Sequence, residues 1–351
     1  SHPAPAAVKP AATPPVAAPK TAASMAGIDA ARCTTAADEL RLVADNGTAD
    51  MAGVTRIETI TVVENLDANL TINMVDGNFT GVADGSITVD ATALNDTGID
   101  LPEGTLTLNA GGITGARVLN VLGGSGNAAI TTGAGNDTVA GGEGNNTINS
   151  GAGADSVTSG AGNDIIDSGA DNDTVNAGEG DNTVAAGNGD NTVITGSGND
   201  AITSGTGVDV INSGAGSDTI SSGDGADIIT AGTGANVIDA GTGNDTVTVL
   251  GGVGGSTITG GLGQDSITGG TGSADVFRLV TVADSVGLTR DTIFNFESGS
   301  DQIQVETTAV SAAIQTQFNL GNPSVNFAGN AADFSDAQGA ISLTAGDGKA
   351  D

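Results

Sequence analysis

The chain has no tryptophan and no tyrosine, and only seven phenylalanines among 351 residues. A core built on aromatic rings is excluded over most of its length. With 57 glycines, the chain must either stay unfolded or fold through short-range repetition. The single cysteine, Cys33, excludes an internal disulfide framework and reads as an idle or buried thiol. The single histidine, His2, sits in a proline-rich tail. No Ser-His-Asp, Cys-His or zinc-type cluster can be assembled from such a set, so no catalytic residue is assigned and no enzyme is expected. No run of about 18 apolar residues occurs, so no transmembrane helix is expected. The opening lacks a charged region followed by an apolar stretch, so no standard signal peptide is expected in it. The Ser start and the abrupt Gly-Lys-Ala-Asp end read as those of a mature form or a fragment.

Basic residues are also scarce. Nine Lys and Arg stand against 42 Asp and Glu, a formal net charge of −33. These acids repel one another in any compact state unless cations gather among them, which points to metal and sets nucleic acid aside.

Four regions follow from the composition. Residues 1–24 hold six of the eight prolines and read as a disordered, extended linker. Residues 25–122 begin with a predicted helix or helix pair from Met25 to about Val43, from the spacing of Ile28, Ala31, Leu40 and Val43 and a capping box at Thr35 and Asp38. Short alternating runs follow at 56–62, 70–74, 86–90, 105–108 and 118–121, which predict irregular solenoid-like strands. Residues 123–277 carry a repeat, and 278–351 read as a capping β region, with 306–351 unassigned.

From Gly123 to Thr248 one nine-residue register holds through fourteen consecutive units. Position eight is always Val or Ile, from Ile130 to Val247. A three-residue strand centred there turns one aliphatic side chain inward and two small neighbours outward, the filling of a thin two-sheet solenoid. Position two is Gly throughout, and position four is Gly except at Asp171. Position six is Asp at 137, 155, 164, 173, 200, 209, 218, 227 and 245, Asn at 146, 182, 191 and 236, and Ala at 128. Val249-Leu250 interrupts the register before Gly260-Gly-Leu-Gly-Gln-Asp265 resumes it. Between Gly123 and Phe277 there is no Lys, Arg or His, so these carboxylates have no protein counter-ion. Carboxylates and turn carbonyls are hard oxygen donors, suited to Ca²⁺ more than to zinc or copper. The candidate metal ligands are therefore Asp137, Asp155, Asp164, Asp173, Asp200, Asp209, Asp218, Asp227, Asp245 and Asp265, with multiple calcium ions as the expected cofactor. Folding is expected to be coupled to metal binding.

The units resemble the RTX, or haemolysin-type, repeat Gly-Gly-x-Gly-x-Asp-x-(aliphatic)-x. That resemblance implies an all-β parallel β-roll, a flattened right-handed β-solenoid whose successive units alternate between two edges, with calcium between neighbouring turns of one edge. It places Asp137, Asp155, Asp173, Asp209, Asp227 and Asp245 on one edge, interrupted by Asn191. Asp164, Asp200 and Asp218 fall on the other, with Ala128, Asn146, Asn182 and Asn236. Fuller calcium occupancy is expected on the first edge. The segments at 275–279, 291–296 and 299–303 are similar to strands that close such rolls. Six of the seven Phe lie from 277 onward, which predicts a bulky core in a terminal cap.

Gly-x-Gly-x-x-Gly-like spacings recur but lack the helix and ribose-binding acid of a dinucleotide site. Position-seven threonines (Thr138, Thr147, Thr174, Thr183, Thr192) could form an outward array for ice or another lattice, yet strand propensity accounts for them. By resemblance to RTX regions of S-layer proteins and adhesins, the expected role is a calcium-rigidified structural or adhesive module of a secreted or cell-surface bacterial protein. Its expected partners are calcium, further copies of itself, or cell-surface and matrix components, and type I secretion is the implied export route. The alternative is the calcium-binding, secretion-assisting region of an exported protease, lipase or haemolysin, although neither His-Glu-x-x-His nor Gly-x-Ser-x-Gly occurs.

Overall fold

The computed structural model describes residues 39–43, 48–52, 54–55, 57–64, 69–82, 85–94, 104–252, 254–280, 291–297, 300–305, 326–327 and 342–344. They form an all-β parallel solenoid of two sheets, each of fourteen strands, and successive strands alternate between the sheets as far as Gln302–Val305. Each pairing up to Gln302–Val305 joins a strand to the next-but-one in sequence and is parallel; beyond it, Thr292–Phe294 pairs in parallel with Ser342–Thr344, and Gln302–Val305 pairs antiparallel with Asn326–Phe327. One coil of the repeat is therefore two nonapeptides, and residues 18 apart stack: Ile148 lies on Ile166, and Val157 on Val175.

Position eight forms the core. From Ile130 to Val247 each of these side chains is at most 1% exposed, and the flanking residues point outward in strands such as Ser156–Thr158 and Thr219–Ser221. Parallel strands need a crossover, and here it is a glycine-rich turn, a strand of the opposite sheet and a second such turn, as between Thr138–Ala140 and Ser156–Thr158. Gly178 shows why glycine is required. Its φ of +78° is left-handed, and a Cβ there would run into the carbonyl oxygen of Gly160 in the coil before it. Gly178→Ala is expected to destabilise the calcium-loaded roll by more than about 2 kcal/mol, seen as a lower midpoint in a denaturant melt. An unchanged midpoint would show that the turn relaxes. Asp171, the one position-four residue that is not glycine, still takes φ +79°, a conformation that Asp tolerates better than most side chains.

The interruption at Val249-Leu250 does not break the sheets. Val237–Asp239 pairs with Thr257–Thr259 across a step of 20 residues, so the extra residues bulge from the turn. The strands expected between residues 56 and 121 are present at Thr59–Glu64, Leu70–Asn73, Ser86–Asp90, Leu106–Asn109 and Val118–Leu122.

Two expectations need correction. Glu39–Val43, the described end of the predicted helix, is a strand paired in parallel with Thr59–Glu64. Leu42 is fully buried and its neighbour Arg41 partly exposed, so alternation and a sheet edge overrode the 3.6-residue spacing. The rest of that prediction lies outside the described residues, as does the linker at 1–24. Nor is the bulky core confined to the C-terminal cap. Phe277 and Phe296 do pack there, with centroids 5.9 Å apart. Among the described residues, large side chains are also fully buried in the early coils, such as Leu42, Met51, Ile60, Leu70, Ile87 and Leu119. These coils are aliphatic, which aromatic content alone does not register.

Candidate metal site

Position six builds two rows of side chains, one at the start of each sheet's strands. In the first, the backbone N–H of each rung donates to the side-chain Oδ1 of the rung one coil later. It runs Asp137, Asp155, Asp173, Asn191, Asp209, Asp227, Asp245, Asp265, Asp291, at 2.7–3.1 Å. In the second the sequence is Ala128, Asn146, Asp164, Asn182, Asp200, Asp218, Asn236, Ser256, Asp275, Asp301, also at 2.7–3.1 Å, with Ser256 accepting through Oγ. The structure thus brings all ten sequence-predicted aspartates into the two rows implied by the resemblance. It adds Asp275, Asp291 and Asp301, whose Asp-x-(Phe/Ile) pattern matches positions six to eight but whose irregular spacing hid them.

The rungs are buried inside the turns. Asp155, Asp164, Asp173, Asp200, Asp209, Asp218, Asp227 and Asp245 are each 0–3% exposed, and the Oδ2 of each has no hydrogen-bond partner. Oδ1 serves the ladder; Oδ2 is left facing protein. What it faces is shown by the asparagines, whose Oδ1 accepts the same ladder bond. The amide nitrogen of Asn146 donates to the carbonyls of Gly142 at 3.4 Å, Gly144 at 3.0 Å and, one coil on, Ser159 at 3.1 Å. That of Asn182 meets Gly178, Gly180 and Thr195 at 3.3, 3.0 and 3.5 Å. The second side-chain atom of a rung therefore points into a nest of carbonyl oxygens at positions two and four of its own unit and position one of the next coil. With Asp in place of Asn, an acceptor faces acceptors.

Such an all-oxygen nest fits a hard cation. Among the described residues no three His, Cys, Asp or Glu side chains converge as a metal cluster, so the ligands must come largely from backbone carbonyls, with carboxylates strung singly along the row. That set suits Ca²⁺, which accepts six to eight oxygens in loose geometry, and excludes a thiolate or imidazole metal.

Electrostatics point the same way. Burial pushes the carboxyls of Asp155 and Asp245 up to about 7 and that of Asp173 up to about 6, and neighbouring carboxylates add to the rise. Asp137, Asp164, Asp200 and Asp209 are also raised, by burial first, against the pull of the ladder N–H and of the position-one hydroxyls of Thr132, Ser159, Thr195 and Ser204. Without a cation these groups hold their protons above the ordinary carboxylate value.

The ends of the rows differ. The Oδ2 of Asp275 accepts from Gly270 N–H and that of Asp301 from Glu297 N–H, both at 2.8 Å, while Asp137 has a long contact of 3.4 Å from Gly133 N–H. Two further ladders escaped the sequence reading. At position one, buried hydroxyls tie coils together, with Thr132 donating to Ser150 O, Ser150 to Ser168 O and Ser168 to Ala186 O. This gives a use to the departure from glycine there. At position five, exposed side chains accept from the coil after them, as Asn145 does from Asn163 N–H and Asn163 from Asp181 N–H. The position-seven threonines, by contrast, split between the sheets. Thr138, Thr174 and Thr192 stack with Ser156 on one, and Thr147 and Thr183 flank Ile165 on the other, so neither face carries an unbroken array.

Among the described residues no helix is long and apolar enough to cross a membrane. No curated protein matches the chain. The family model of the RTX calcium-binding nonapeptide repeat (4 copies) matches at 122–157, 151–184, 185–220, 221–252 and 248–273. The two-row solenoid, the buried carboxylates beside their turn carbonyls and this match agree, and residues 122–273 are an array of RTX calcium-binding nonapeptide repeats folded as a β-roll.

Proposed function

We propose that the chain is a structural or adhesive module of a secreted or cell-surface bacterial protein, which folds and stiffens when its position-six aspartates take up calcium outside the cell. The supporting observation is the run of buried aspartates whose second carboxylate oxygen has no hydrogen-bond partner. A cytosol poor in calcium would leave such a chain loose enough to export, by the type I route that the RTX resemblance implies. A calcium-rich exterior would then lock it. The long sheets, exposed acids such as Glu143, Glu179, Asp224 and Asp239, and the absence of a catalytic constellation in the sequence favour a spacer or adhesive surface over a reaction.

Limited proteolysis at two calcium levels tests the first half of this reading. Residues 122–273 should survive protease at millimolar calcium and be cleaved at submicromolar calcium, and equal cleavage at both levels would refute the coupling. Light scattering and cell-retention assays on the loaded chain test the second half. Calcium-dependent self-association or retention supports the adhesive role, whereas a loaded chain that stays monomeric and binds no surface overturns it.

A further inference from the structure

The asparagines at position six do more than weaken a site. The four rungs Asn146, Asn182, Asn191 and Asn236 are each 1% exposed and keep the ladder bond through Oδ1. Their amide nitrogens occupy the carbonyl nest. The nitrogen of Asn191 donates to two of the three carbonyls, Gly187 O at 3.4 Å and Gly189 O at 3.0 Å, and that of Asn236 to one, Gly232 O at 3.3 Å, with the carbonyl of Gly234 taken by the Ser256 hydroxyl. In the aspartate rungs Oδ2 takes the corresponding place and finds no donor. An amide N–H₂ and a calcium ion therefore answer the same need, a positive partner for converging carbonyl oxygens. The amide does so covalently and without a buried charge.

We propose that Asn146, Asn182, Asn191 and Asn236 are built-in substitutes for calcium, each replacing one metal-dependent rung by a metal-independent one. The inference rests on the calcium-binding reading of the aspartate rungs and specifies where along the roll that binding is absent. Asn182 and Asn191 lie in consecutive units on opposite rows, so midway along the roll both rows switch to amide together. The first row is thereby divided into Asp137–Asp155–Asp173 and a longer run from Asp209 through Asp227, Asp245 and Asp265 to Asp291. In the second, Asp164 is isolated between Asn146 and Asn182, and Asp200–Asp218 is bounded by Asn182 and Asn236. The division separates strings of cations that would otherwise repel one another along a continuous row.

Counting bound calcium by equilibrium dialysis and atomic emission tests this, with circular dichroism at saturating calcium to verify that each variant is folded. Asn191→Asp should add one calcium per chain to the wild-type count and should move the calcium midpoint of folding upward, because one more rung then needs metal. Asp209→Asn should remove one and lower that midpoint. Asn182→Asp on the second row provides an independent trial of the same gain. A wild-type count above zero that Asn191→Asp and Asn182→Asp both leave unchanged, in folded chains, overturns the substitution while leaving the calcium-binding reading intact. A wild-type count of zero overturns both.

Discussion

Chelation at neutral pH is expected to abolish most of the strand signal in far-ultraviolet circular dichroism, and calcium, but not magnesium, to restore it over a narrow concentration range. Each nonapeptide orders nine residues but buries one Val or Ile, worth about 1.5–3 kcal/mol, which is well below the entropy of the ordered backbone. The metal-free turns add a cost of their own, because their carboxylates are buried with no cationic side chain between Gly123 and Phe277. At a free concentration a hundred times the dissociation constant, each bound ion stabilises the folded state by about 2.7 kcal/mol. Even if two orphan aspartates share one ion, the row from Asp155 to Asp245 with Asp164, Asp200 and Asp218 gains on the order of 10 kcal/mol, comparable to the net stability of a whole domain. Magnesium should fail because it demands a tight octahedron and sheds water reluctantly, whereas a nest of turn carbonyls is open and irregular. Sodium chloride is the informative control. Salt screens the exposed acids but reaches buried oxygens poorly. If high salt alone restored the strands, general repulsion rather than the nests would govern folding, and if chelation left the spectrum unchanged, the metal-coupled account would fail.

The core was legible because one residue type at one position, Val or Ile at position eight, is enough to place every strand of the repeat. Period-two alternation likewise located the early strands at Leu70–Asn73 and Ser86–Asp90. The aspartate rows were legible from the register, but their hydrogen-bond chemistry was not. That Oδ1 is consumed by the N–H of the preceding coil depends on the stacking of residues 18 apart, which a linear pattern of glycines does not specify. Asp and Asn at position six therefore looked like strong and weak versions of one ligand. In the fold they are opposites, one leaving an acceptor without a donor and the other supplying the donor. Asp275, Asp291 and Asp301 were missed because steps of 19 and 26 residues replace the step of 18, although the chain re-enters the ladder at each of them. The helix predicted over Met25–Val43 failed at its described end because Leu40 and Leu42 alternate around Arg41, and an open sheet edge beside Thr59–Glu64 satisfies more backbone groups than one isolated helical turn. What covers an edge is a property of the assembled roll and has no local signature.

A second result of comparable size is expected with protons in place of calcium. In chelator, the chain should regain strand signal as the pH is lowered from 8 to about 5, a recovery set by carboxyls whose affinity for protons is higher folded than unfolded. Burial raises Asp155 and Asp245 to about 7 and Asp173 and Asp301 to about 6, from an ordinary carboxylate value of 3.8. A carboxyl shifted in this direction favours the folded state fully below 3.8 and loses that contribution as the pH climbs through its folded value. The metal-free roll is therefore most stable in acid and progressively destabilised between pH 3.8 and about 7. The chemistry in the nest is simple: a protonated Oδ2 becomes a donor to the same carbonyls that the asparagine amides already satisfy. The sequence isoelectric point of about 4.1 makes lower pH a risk for precipitation, so the comparison belongs near pH 5, with sedimentation to show that the signal comes from single chains. Calcium and protons then fill the same nests, so the calcium concentration that half-folds the chain should fall as the pH is lowered below 7, while the folded roll releases protons when calcium binds. A metal-free chain as unstructured at pH 5 as at pH 8, or a calcium midpoint indifferent to pH across that range, would show that the buried oxygens are not where the cation acts.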